Sequence, residues 1–491
     1  MTATGGADTG RLTTGLDPEL QRMLLEPRWK VTAPWKAELD RIARVDLAHV
    51  VMLAERGIVG RAAAAALLAA VTDLRRQDFR PIEGRPAPRG LYLAYEGHLI
   101  ETLGEGVGGL LHTGRSRNDL NATCLRLGLR EPLAELIHRL IRLELVLINR
   151  SRRYGECVMP AYTHFQPATP ITYGHYLTGL AGGLAREVDA LLAAGEGLAY
   201  SSLGAGAVGG TSIPIDADRT AELLGFAGPL RNSIDAVAAR DVVLRIVAAA
   251  ATLGVLLSRA ATDLLLWSSQ EFDLLTVPDD LVGSSSMMPQ KRNPFVLENV
   301  RGKSSAALGA FVTAAAAMRN EPYTNSISVG TEGIKPIWDA LRESSDAAAI
   351  LVKVFSRTTV NPAAMQRRAR DGMTVATAIA EELVRSGVPF RRAHHEVGRA
   401  VRLVLDAEAS SMGEALKDRI EDVPTEPAEV CAAAEYGGGP GPRSRARAIA
   451  EAGERAVAHR RRLLGWTAGW RAGEERLAAA VQGIVTGTPT A

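Results

Sequence analysis

Long segments in which Leu, Ala and Val recur at helical spacing constrain the fold of this chain more strongly than any other feature. Aromatic residues make up only 5% of the chain and alternating Val, Ile and Thr are scarce, which argues against a substantial sheet. The sequence therefore predicts an all-α protein built around a bundle of long helices. The predicted bundle helices occupy approximately residues 121–154, 171–194, 235–269 and 294–318.

A chain of 491 residues is too long for one ordinary hydrophobic core, so we expect two or three subdomains. Residues 1–18 are rich in Gly and Thr, and we predict that they are disordered. Residues 20–75 show helical spacing, with Gly57 as a helix C-cap. Residues 436–491 are predicted to form a loop, then a solvated helix and a frayed end.

Charge and cysteine content limit the classes of partner. Lys and Arg number 57 and Asp and Glu number 55, so the net charge of +2 argues against a nucleic-acid partner and favours a small-molecule substrate. The three cysteines lie far apart without metal-ligand spacing, which fits a reducing compartment, and we expect a cytoplasmic protein. The longest apolar run, residues 246–257, is too short to span a bilayer, and no secretory signal is visible, so we expect no membrane partner.

Adjacent histidines are the one sequence feature that suggests a metal ligand pair. His394 and His395 lie in a predicted helix, where consecutive side chains point about 100° apart. The sequence therefore predicts no metal site.

The segment from Ser284 to Pro294, S-S-S-M-M-P-Q-K-R-N-P, combines three serines with a lysine and an asparagine. Three serines after Gly283 favour a mobile loop. Lys291 and Asn293 lie two residues apart, so both can address one carboxylate, the lysine as a charge and the asparagine as a hydrogen-bond donor. A serine-rich loop alone is more often an ordinary polar connection, so its interpretation depends on the other motifs of the chain.

A second segment, H-T-G-R-S-R-N-D from His112 to Asp119, places two guanidinium groups, a hydroxyl and an amide before an apolar stretch. Arg117 can bind a carboxylate through two hydrogen bonds, and Ser116 and Asn118 can act as helix caps or as ligand partners near the positive helix start. The alternative is a plain N-cap with surface arginines.

A third segment, Y-T-H-F-Q-P-A-T-P from Tyr162 to Pro170, contains a histidine between polar residues. Its two prolines restrict the backbone and fix the direction of the Thr163 and His164 side chains. A lone histidine is more often structural than catalytic, so the functional interpretation of this segment also depends on the other two segments.

Together, in this order, the three segments resemble the signatures of the fumarase and aspartase superfamily, and H-T-G-R-S-R-N-D is similar to the motif of argininosuccinate lyases. The similarity continues through L-G-A-G-A-V-G-G-T, N-S-I-D-A-V-A-A-R-D and W-S-S-Q-E-F, so it covers most of residues 90–305. It implies an all-α, three-domain fold, which we divide into residues 1–114, 115–364 and 365–491. It also implies a homotetramer whose central helices form a twenty-helix core and whose active sites each combine three chains.

The resemblance implies a carbon–nitrogen lyase that needs no cofactor and releases fumarate from an N-substituted L-aspartate by anti β-elimination. Removal of the Cβ proton places negative charge on the adjacent carboxylate, which needs cationic and hydrogen-bonding groups in a dry site. The implied catalytic residues are the base Ser285, the cation Lys291, and His164 with its carboxylate partner Glu298. The implied substrate-binding residues are Ser116, Arg117, Asn118, Thr163, Gln166, Ser286, Asn293 and Tyr323.

The choice of Ser285 depends on how the serine loop is aligned with the family. The family pattern G-S-S-x-M-P has one residue fewer before Met-Pro than this chain has between Gly283 and Met288. Alignment on Met288 and the following proline assigns the base to Ser285 and its neighbour to Ser286, whereas alignment on Gly283 assigns the base to Ser284. We predict Ser285.

Two departures from the family leave the amine half of the substrate open. Argininosuccinate lyases usually have a W-G-G-R-F-like segment near the N-terminus, whereas this chain has P-R-W-K-V-T-A-P-W at residues 27–35. After Tyr323, the family's N-R-D-L-Q-E-D-K is replaced by the longer T-N-S-I-S-V-G-T-E-G-I-K, where Lys335 can replace the family's lysine only with a register shift.

Three interpretations follow from the motifs and their departures. The chain is an argininosuccinate lyase, a lyase for another N-substituted aspartate or aminopolycarboxylate of the ethylenediamine-disuccinate type, or a non-catalytic structural relative like the lens crystallins. The completeness of the catalytic motifs argues against the third interpretation.

Overall fold

The computed structural model describes residues 15–24, 34–87, 90–420 and 423–487. Residues 1–14 and 27–33 of the segments discussed above, and the predicted frayed end at residues 488–491, lie outside the described residues. Helices dominate the described chain, as predicted. The helices are α1 (Pro18–Leu24), α2 (Pro34–Glu55), α3 (Arg61–Arg76), α4 (Leu91–Leu103), α5 (Glu105–Gly108), α6 (Arg117–Arg153), α7 (Tyr173–Gly195), α8 (Ala217–Leu223), α9 (Ser233–Ala238), α10 (Asp241–Trp267), α11 (Phe295–Lys303), α12 (Ala306–Met318), α13 (Lys335–Arg357), α14 (Pro362–Asp371), α15 (Ala376–Arg385), α16 (Phe390–Leu405), α17 (Met412–Leu416), α18 (Pro427–Ala433) and α19 (Pro442–Val485).

Among the described residues, short strands form four two-stranded sheets. The strands are β1 (Val158–Thr163), β2 (Gln166–Thr172), β3 (Tyr200–Ser201), β4 (Gly228–Pro229), β5 (Leu275–Thr276), β6 (Gly283–Ser284), β7 (Arg292–Asn293) and β8 (Thr359–Val360). The pairs β1–β2, β5–β8 and β6–β7 are antiparallel, whereas β3 and β4 are parallel.

A bundle of long helices forms the largest hydrophobic core, with α6, α7, α10 and α13 packed side by side. On α6 the buried residues recur every three or four positions, as an apolar stripe on a helix requires, and Leu129, Leu133, Leu136 and Leu140 are all fully buried. Helix α10 is long and apolar enough to cross a membrane by length and composition, but half of its most apolar stretch is buried inside the protein. This burial, together with its packing against α7 and α13, makes α10 a core helix of the bundle.

Two of the predicted bundle helices are each broken once. The predicted helix at residues 235–269 is divided into α9 and α10 at Ala239, and the predicted helix at residues 294–318 is divided into α11 and α12 at Ser304. The Ser304 hydroxyl donates to the carbonyl of Val300 at 2.6 Å, a local bond that competes with regular helix geometry.

Helices α2, α3 and α4 build a second core near the N-terminal end of α6. Helix α2 ends at Glu55, and Gly57 has a φ of +68°, so the predicted glycine cap is confirmed. The loop from Leu203 and helix α8 also pack into this core. The beginning of α6 therefore packs against this N-terminal core.

A third, small core joins α15, α16 and α17. Helix α19 does not belong to it but packs along α6 and α7 and reaches α3. The prediction of a solvated terminal helix is wrong for one face of α19, because Ala456, His459, Leu463 and Leu477 are buried at helical spacing. The division of the chain at residues 1–114, 115–364 and 365–491 stays a prediction.

Candidate active site

The beginning of α6 is fixed by a buried carboxylate. Ser116 is the N-cap, as predicted, and its hydroxyl oxygen accepts a hydrogen bond from the Asn118 N–H at 3.2 Å. Asp119 completes a capping box by accepting from the Ser116 N–H at 2.9 Å. Its other oxygen accepts from the N–H groups of Gly204 and Gly206, both at 3.0 Å. Asp119 thus ties the first turn of α6 to a glycine-rich loop, which we call the glycine loop (residues 203–211).

The Asn118 side chain lies between two other segments of the chain. Its Nδ2 donates to the carbonyl of Ala207 in the glycine loop at 3.1 Å. Its Oδ1 accepts from the side-chain amide of Asn325 at 3.1 Å. The predicted ligand Asn118 therefore links the glycine loop to the segment that follows Tyr323.

The two arginines of the H-T-G-R-S-R-N-D motif have different environments. Arg115 is buried and forms an ion pair with Asp46 of α2, and it also donates to the Tyr92 hydroxyl at 3.2 Å. The Tyr92 hydroxyl lies 2.8 Å from Nδ1 of His112. Burial, together with the charges of Arg115 and Arg117, lowers the pKa of His112 to about 4, so this ring is neutral at pH 7. Arg115 supports the fold, whereas Arg117 is exposed and remains the candidate for binding a carboxylate.

Tyr323 lies beside this helix start and is 65% exposed. Its hydroxyl donates to Oδ1 of Asp235 in α9 at 2.7 Å, and this hydrogen bond, with some burial, raises the pKa of Tyr323. Both residues line a cavity of about 500 Å³. The charged residues in the cavity wall are Arg126, Asp235, Arg240, Asp241 and Glu321.

A β-hairpin carries the predicted residues Thr163, His164 and Gln166. Thr163 pairs with Gln166 across the hairpin, and His164 and Phe165 form the turn between them. Both turn residues have positive φ, +51° and +61°, as the tight two-residue hairpin turn requires. Positive φ is strained for a phenylalanine, and such strain is concentrated at functional sites. The hairpin therefore presents His164 at an exposed tip.

The serine loop is a second hairpin, in which β6 pairs with β7 through Gly283 with Asn293 and Ser284 with Arg292. The hydroxyl oxygen of Ser285 accepts from the N–H groups of Met287 and Met288, at 3.3 and 3.0 Å. Within the described part of the chain, neither neighbouring serine accepts a comparable pair of backbone hydrogen bonds. Two backbone donors on one hydroxyl oxygen favour its deprotonated form.

Lys291, Asn293 and Glu298 follow along the return of this loop. Lys291 is exposed. Its backbone N–H donates to the Met288 carbonyl at 3.0 Å, and this hydrogen bond closes a turn. Its side chain lines a cavity of about 560 Å³ together with Ser268, Ser269 and other residues of the W-S-S-Q-E-F segment. Asn293 is half-buried at the end of the hairpin, and Glu298 is exposed in the first turn of α11.

The structure brings some predicted residues together and leaves others apart. Ser116, Arg117 and Asn118 lie with Tyr323, because Asn118 contacts the chain two residues after it. Thr163, His164 and Gln166 are on one exposed hairpin, and Ser285, Ser286, Lys291 and Asn293 are on the other. No hydrogen bond or ion pair joins His164 to Glu298 in the described residues. The predicted site residues therefore lie on three elements of the described chain, namely the beginning of α6, the β1–β2 hairpin and the serine loop with α11.

Comparison with known proteins identifies the family of this arrangement. The sequence profile of a lyase family matches residues 43–309, and that of the argininosuccinate lyase C-terminal region matches residues 373–423. The argininosuccinate lyase of Halorhodospira halophila is 36% identical over 408 residues, which are 82% of this chain and 85% of that relative. The chain belongs to the argininosuccinate lyase-like group of the fumarase and aspartase superfamily. It is a fumarate-releasing carbon–nitrogen lyase with a small-molecule substrate.

Solved structures agree with this family. The structure of EDDS lyase in complex with formate has a TM-score of 0.89 and 29% identity, and the match covers 98% of each chain. The class II fumarase of Schistosoma mansoni, at 16% identity and a TM-score of 0.70 over 81% of this chain and 91% of the fumarase, shows the same fold. These matches confirm the predicted all-α superfamily fold and favour an enzyme over a non-catalytic relative.

Three residues of this lyase site were not predicted from its sequence. Asp119 could have been found, since Ser116 and Asp119 have the spacing of a capping box. Asp235 lies in the family-like segment N-S-I-D-A-V-A-A-R-D, but nothing in the sequence links it to Tyr323, 88 residues away. Asn325 gave no signal, because its partner Asn118 is 207 residues away.

Proposed function

We propose that this lyase cleaves argininosuccinate into arginine and fumarate. The proposal rests on the beginning of α6. There, hydrogen bonds fix Ser116 and Asn118 beside the exposed Arg117. The sequence of this segment is similar to the motif of argininosuccinate lyases, and the H. halophila relative bears that name over most of the chain.

A second candidate substrate is an aminopolycarboxylate of the ethylenediamine-disuccinate type. Lys335, the one residue available to replace the family's substrate lysine, lies at the start of α13 and pairs with Glu332 at 2.5 Å. Its ammonium therefore already has a carboxylate partner within its own chain. EDDS lyase, which matches the chain over nearly its full length, also favours a changed amine half.

Ser285 is the proposed base for the Cβ proton. Its oxygen already accepts two backbone N–H groups, which stabilise the serine oxyanion that must form before proton removal. Lys291 and Asn293 then stabilise the negative charge that develops on the adjacent substrate carboxylate. His164, with Glu298 as its carboxylate partner, assists protonation of the leaving nitrogen. Thr163, Gln166 and Ser286 are proposed to position the fumarate half.

A homotetramer is the proposed assembly, because the resemblance to the superfamily implies sites that combine three chains and because several large apolar side chains are exposed in the single chain. Phe165 beside His164 is 77% exposed, and Met287 beside the serines is 88% exposed, although large apolar side chains at the tips of two loops are normally covered. On the bundle, Val255 of α10 and Leu308 and Val312 of α12 are more than half exposed. Contacts between the bundles of neighbouring chains would cover these side chains.

We also propose the three-domain division at residues 1–114, 115–364 and 365–491. The three hydrophobic cores support it in outline, although α19 crosses from the third part to the first. A cytoplasmic location is proposed because Cys124, Cys157 and Cys431 are free thiols.

Substrate identity is tested with purified protein and two substrates, argininosuccinate and ethylenediamine-disuccinate, by following fumarate absorbance in the ultraviolet. Rapid fumarate release from argininosuccinate, with little from the other compound, is the expected result. Release from ethylenediamine-disuccinate alone would contradict the first candidate in favour of the second. The Ser285→Ala variant is the control for fumarate from any contaminating lyase.

Assembly is tested by co-expressing two inactive variants, Ser285→Ala and His164→Asn. If the two groups of one site come from different chains, about a quarter of the sites in random hybrid tetramers regain both groups. Fumarate release at about that fraction of the wild-type rate is expected, together with a tetrameric mass by light scattering. A monomer mass with full activity would contradict the shared site.

A further inference from the structure

The return of the serine loop carries three polar side chains in a row, Lys291, Arg292 and Asn293. Lys291 and Asn293 are the proposed partners of the substrate carboxylate, and Arg292 between them is a cation without an assigned role. Its hydrogen bonds show which way it faces. Nε of Arg292 donates to Oδ1 of Asp279 at 2.9 Å, and its Nη2 donates to the Val277 carbonyl at 2.7 Å.

These bonds make Arg292 the polar link between the loop side chains and the rest of the protein. Among residues 284–294, all of which the structure describes, no other side chain forms a hydrogen bond or ion pair with a described group outside the loop. The bonds of Ser285, for comparison, stay within the loop. The Arg292 side chain is only 23% exposed, and the planar guanidinium binds its two acceptors in a fixed geometry that a lysine ammonium would not impose.

The carboxylate that binds Arg292 belongs to a segment that is itself well fixed. Asp279 begins a short 3₁₀ helix that ends at Leu281, which is fully buried in the largest core. The neighbouring carboxylate, Asp280, accepts a hydrogen bond from Arg357 of α13 at 2.7 Å. Arg292 therefore connects the serine loop to the helix bundle.

Strand geometry turns this anchor into a direction for the neighbouring side chains. Successive side chains of a strand point to opposite faces, so Asn293 points away from the face on which Arg292 binds Asp279. Directly opposed residues of an antiparallel pair share a face, so Ser284, the partner of Arg292, lies on the anchored face. This arrangement separates Ser284 from Asn293 and favours Ser285 as the base.

We propose that Arg292 is a positioning residue for the reaction, which binds Asp279 and thereby holds the serine loop so that Lys291 and Asn293 face the substrate. Arg292 itself does not contact the substrate. The inference rests on the proposed function, since it concerns the catalytic role of the serine loop. Loss of either partner should act on the chemical step, because misplacement of a catalytic group by about 1 Å can lower a rate about 100-fold.

Kinetics of fumarate release distinguish a positioning residue from a substrate ligand. Arg292→Met should lower kcat about 10- to 100-fold and change KM by less than about threefold, because no contact with the substrate is lost. Asp279→Ala should give a similar loss, and the double variant should lose no more than either single variant, because the two residues act as a unit. Arg219→Met is the matched control. It breaks a guanidinium–carboxylate pair between α8 and α2, with Glu55 at 2.8 Å, and should keep the wild-type kcat and KM.

Hydrogen exchange followed by mass spectrometry measures the anchoring of the loop without any substrate. The N–H groups of Met287 and Met288, which donate to Ser285, lie in the anchored loop. Their peptide should exchange at least about tenfold faster in Arg292→Met than in the wild type, since charge-assisted hydrogen bonds that hold the loop are lost. Arg219→Met should exchange there like the wild type, and circular dichroism shows whether each variant is folded.

Several results would overturn the proposal. Unchanged exchange in Arg292→Met would refute the anchor, and faster exchange with unchanged kcat would refute its role in the reaction. A raised KM with unchanged kcat, or additive losses in the double variant, would make Arg292 a substrate ligand instead. The proposed function is judged separately, because full turnover in Ser285→Ala refutes the proposed base whatever the exchange of Arg292→Met shows.

Discussion

Replacement of Asp119 by asparagine tests whether one buried carboxylate holds the candidate substrate-binding segment in place. The Asp119 side chain is fully buried. One of its oxygens accepts from the N–H groups of Ser116 and Leu120, at 2.9 and 3.0 Å, and the other accepts from Gly204 and Gly206, both at 3.0 Å. An asparagine has one oxygen only, so its NH₂ group must face one of these pairs of donors.

The expected cost follows from the hydrogen bonds that are lost. A hydrogen bond to a charged group contributes about 1.5–3 kcal/mol, so two of them contribute about 3–6 kcal/mol. Part of this is offset, because burial raises the pKa of Asp119 and a neutral amide avoids the desolvation of a buried charge. We therefore expect Asp119→Asn to lower the free energy of unfolding by about 3 kcal/mol, the lower end of that range.

The assay is urea unfolding followed by far-ultraviolet circular dichroism at one protein concentration, with the slope checked for equality between variants. Ser116→Ala is the matched control, since it removes the N-cap alone and should cost about 1 kcal/mol. Asp119→Asn should also raise KM, because the glycine loop carries the Ala207 carbonyl that orients Asn118. An asparagine variant no less stable than Ser116→Ala would refute the reasoning.

Three further predictions concern the base, the histidine and the pH dependence of stability. Ser285→Ala should reduce kcat about 100-fold or more without changing the assembly, since a positioned base contributes about 10²–10⁴-fold; a larger loss in Ser284→Ala would favour the other alignment of the loop. His164→Asn should reduce kcat by a similar factor, and full activity would make His164 a structural residue of the hairpin. Burial disfavours the charged form of His459, but its contacts with Glu144 at 3.2 Å and Asp189 at 3.0 Å outweigh burial and raise its pKa. Its stabilising effect should therefore be complete below about pH 6.5 and should be lost as the pH rises through the raised pKa of the folded state, so the difference in urea midpoint between wild type and His459→Gln should shrink between pH 6 and pH 9.

The helical part of the fold could be predicted because it depends on local periodicity. The buried leucines on α6 recur at intervals of three and four residues, and this spacing can be read from the sequence alone. The burial of α19 was missed for a physical reason. Most residues of its buried face are small or polar, such as Ala456 and His459, and carry little hydrophobic signal, although Leu463 and Leu477 are also buried. The carboxylates that pair with His459 come from α6 and α7.

The candidate site could be predicted where its residues are contiguous, as in the serine loop and at the beginning of α6. It could not be predicted where polar groups meet across the fold. The contact of Tyr323 with Asp235 and that of Asn118 with Asn325 depend on how α6, α9 and the chain before α13 are packed. Tyr323 and Asp235 are 88 positions apart, and Asn118 and Asn325 are 207 apart. No spacing rule links residues at such distances, so these two hydrogen bonds can be seen only in the structure.

We expect the proposed tetramer to complete this site, for a reason that follows from solvation. Lys291, His164 and Glu298 are exposed in the single chain, where water screens their charges and weakens any stabilisation of a developing carbanion. Ser285 differs from them, because its oxygen is already held by two backbone N–H groups. The proposed base Ser285 is thus oriented within one chain, whereas we expect Lys291 and His164 to become effective only when neighbouring chains of the proposed tetramer cover the two hairpin tips and exclude water. Dilution to a protein concentration at which the proposed tetramer dissociates should therefore abolish turnover while leaving the helices intact.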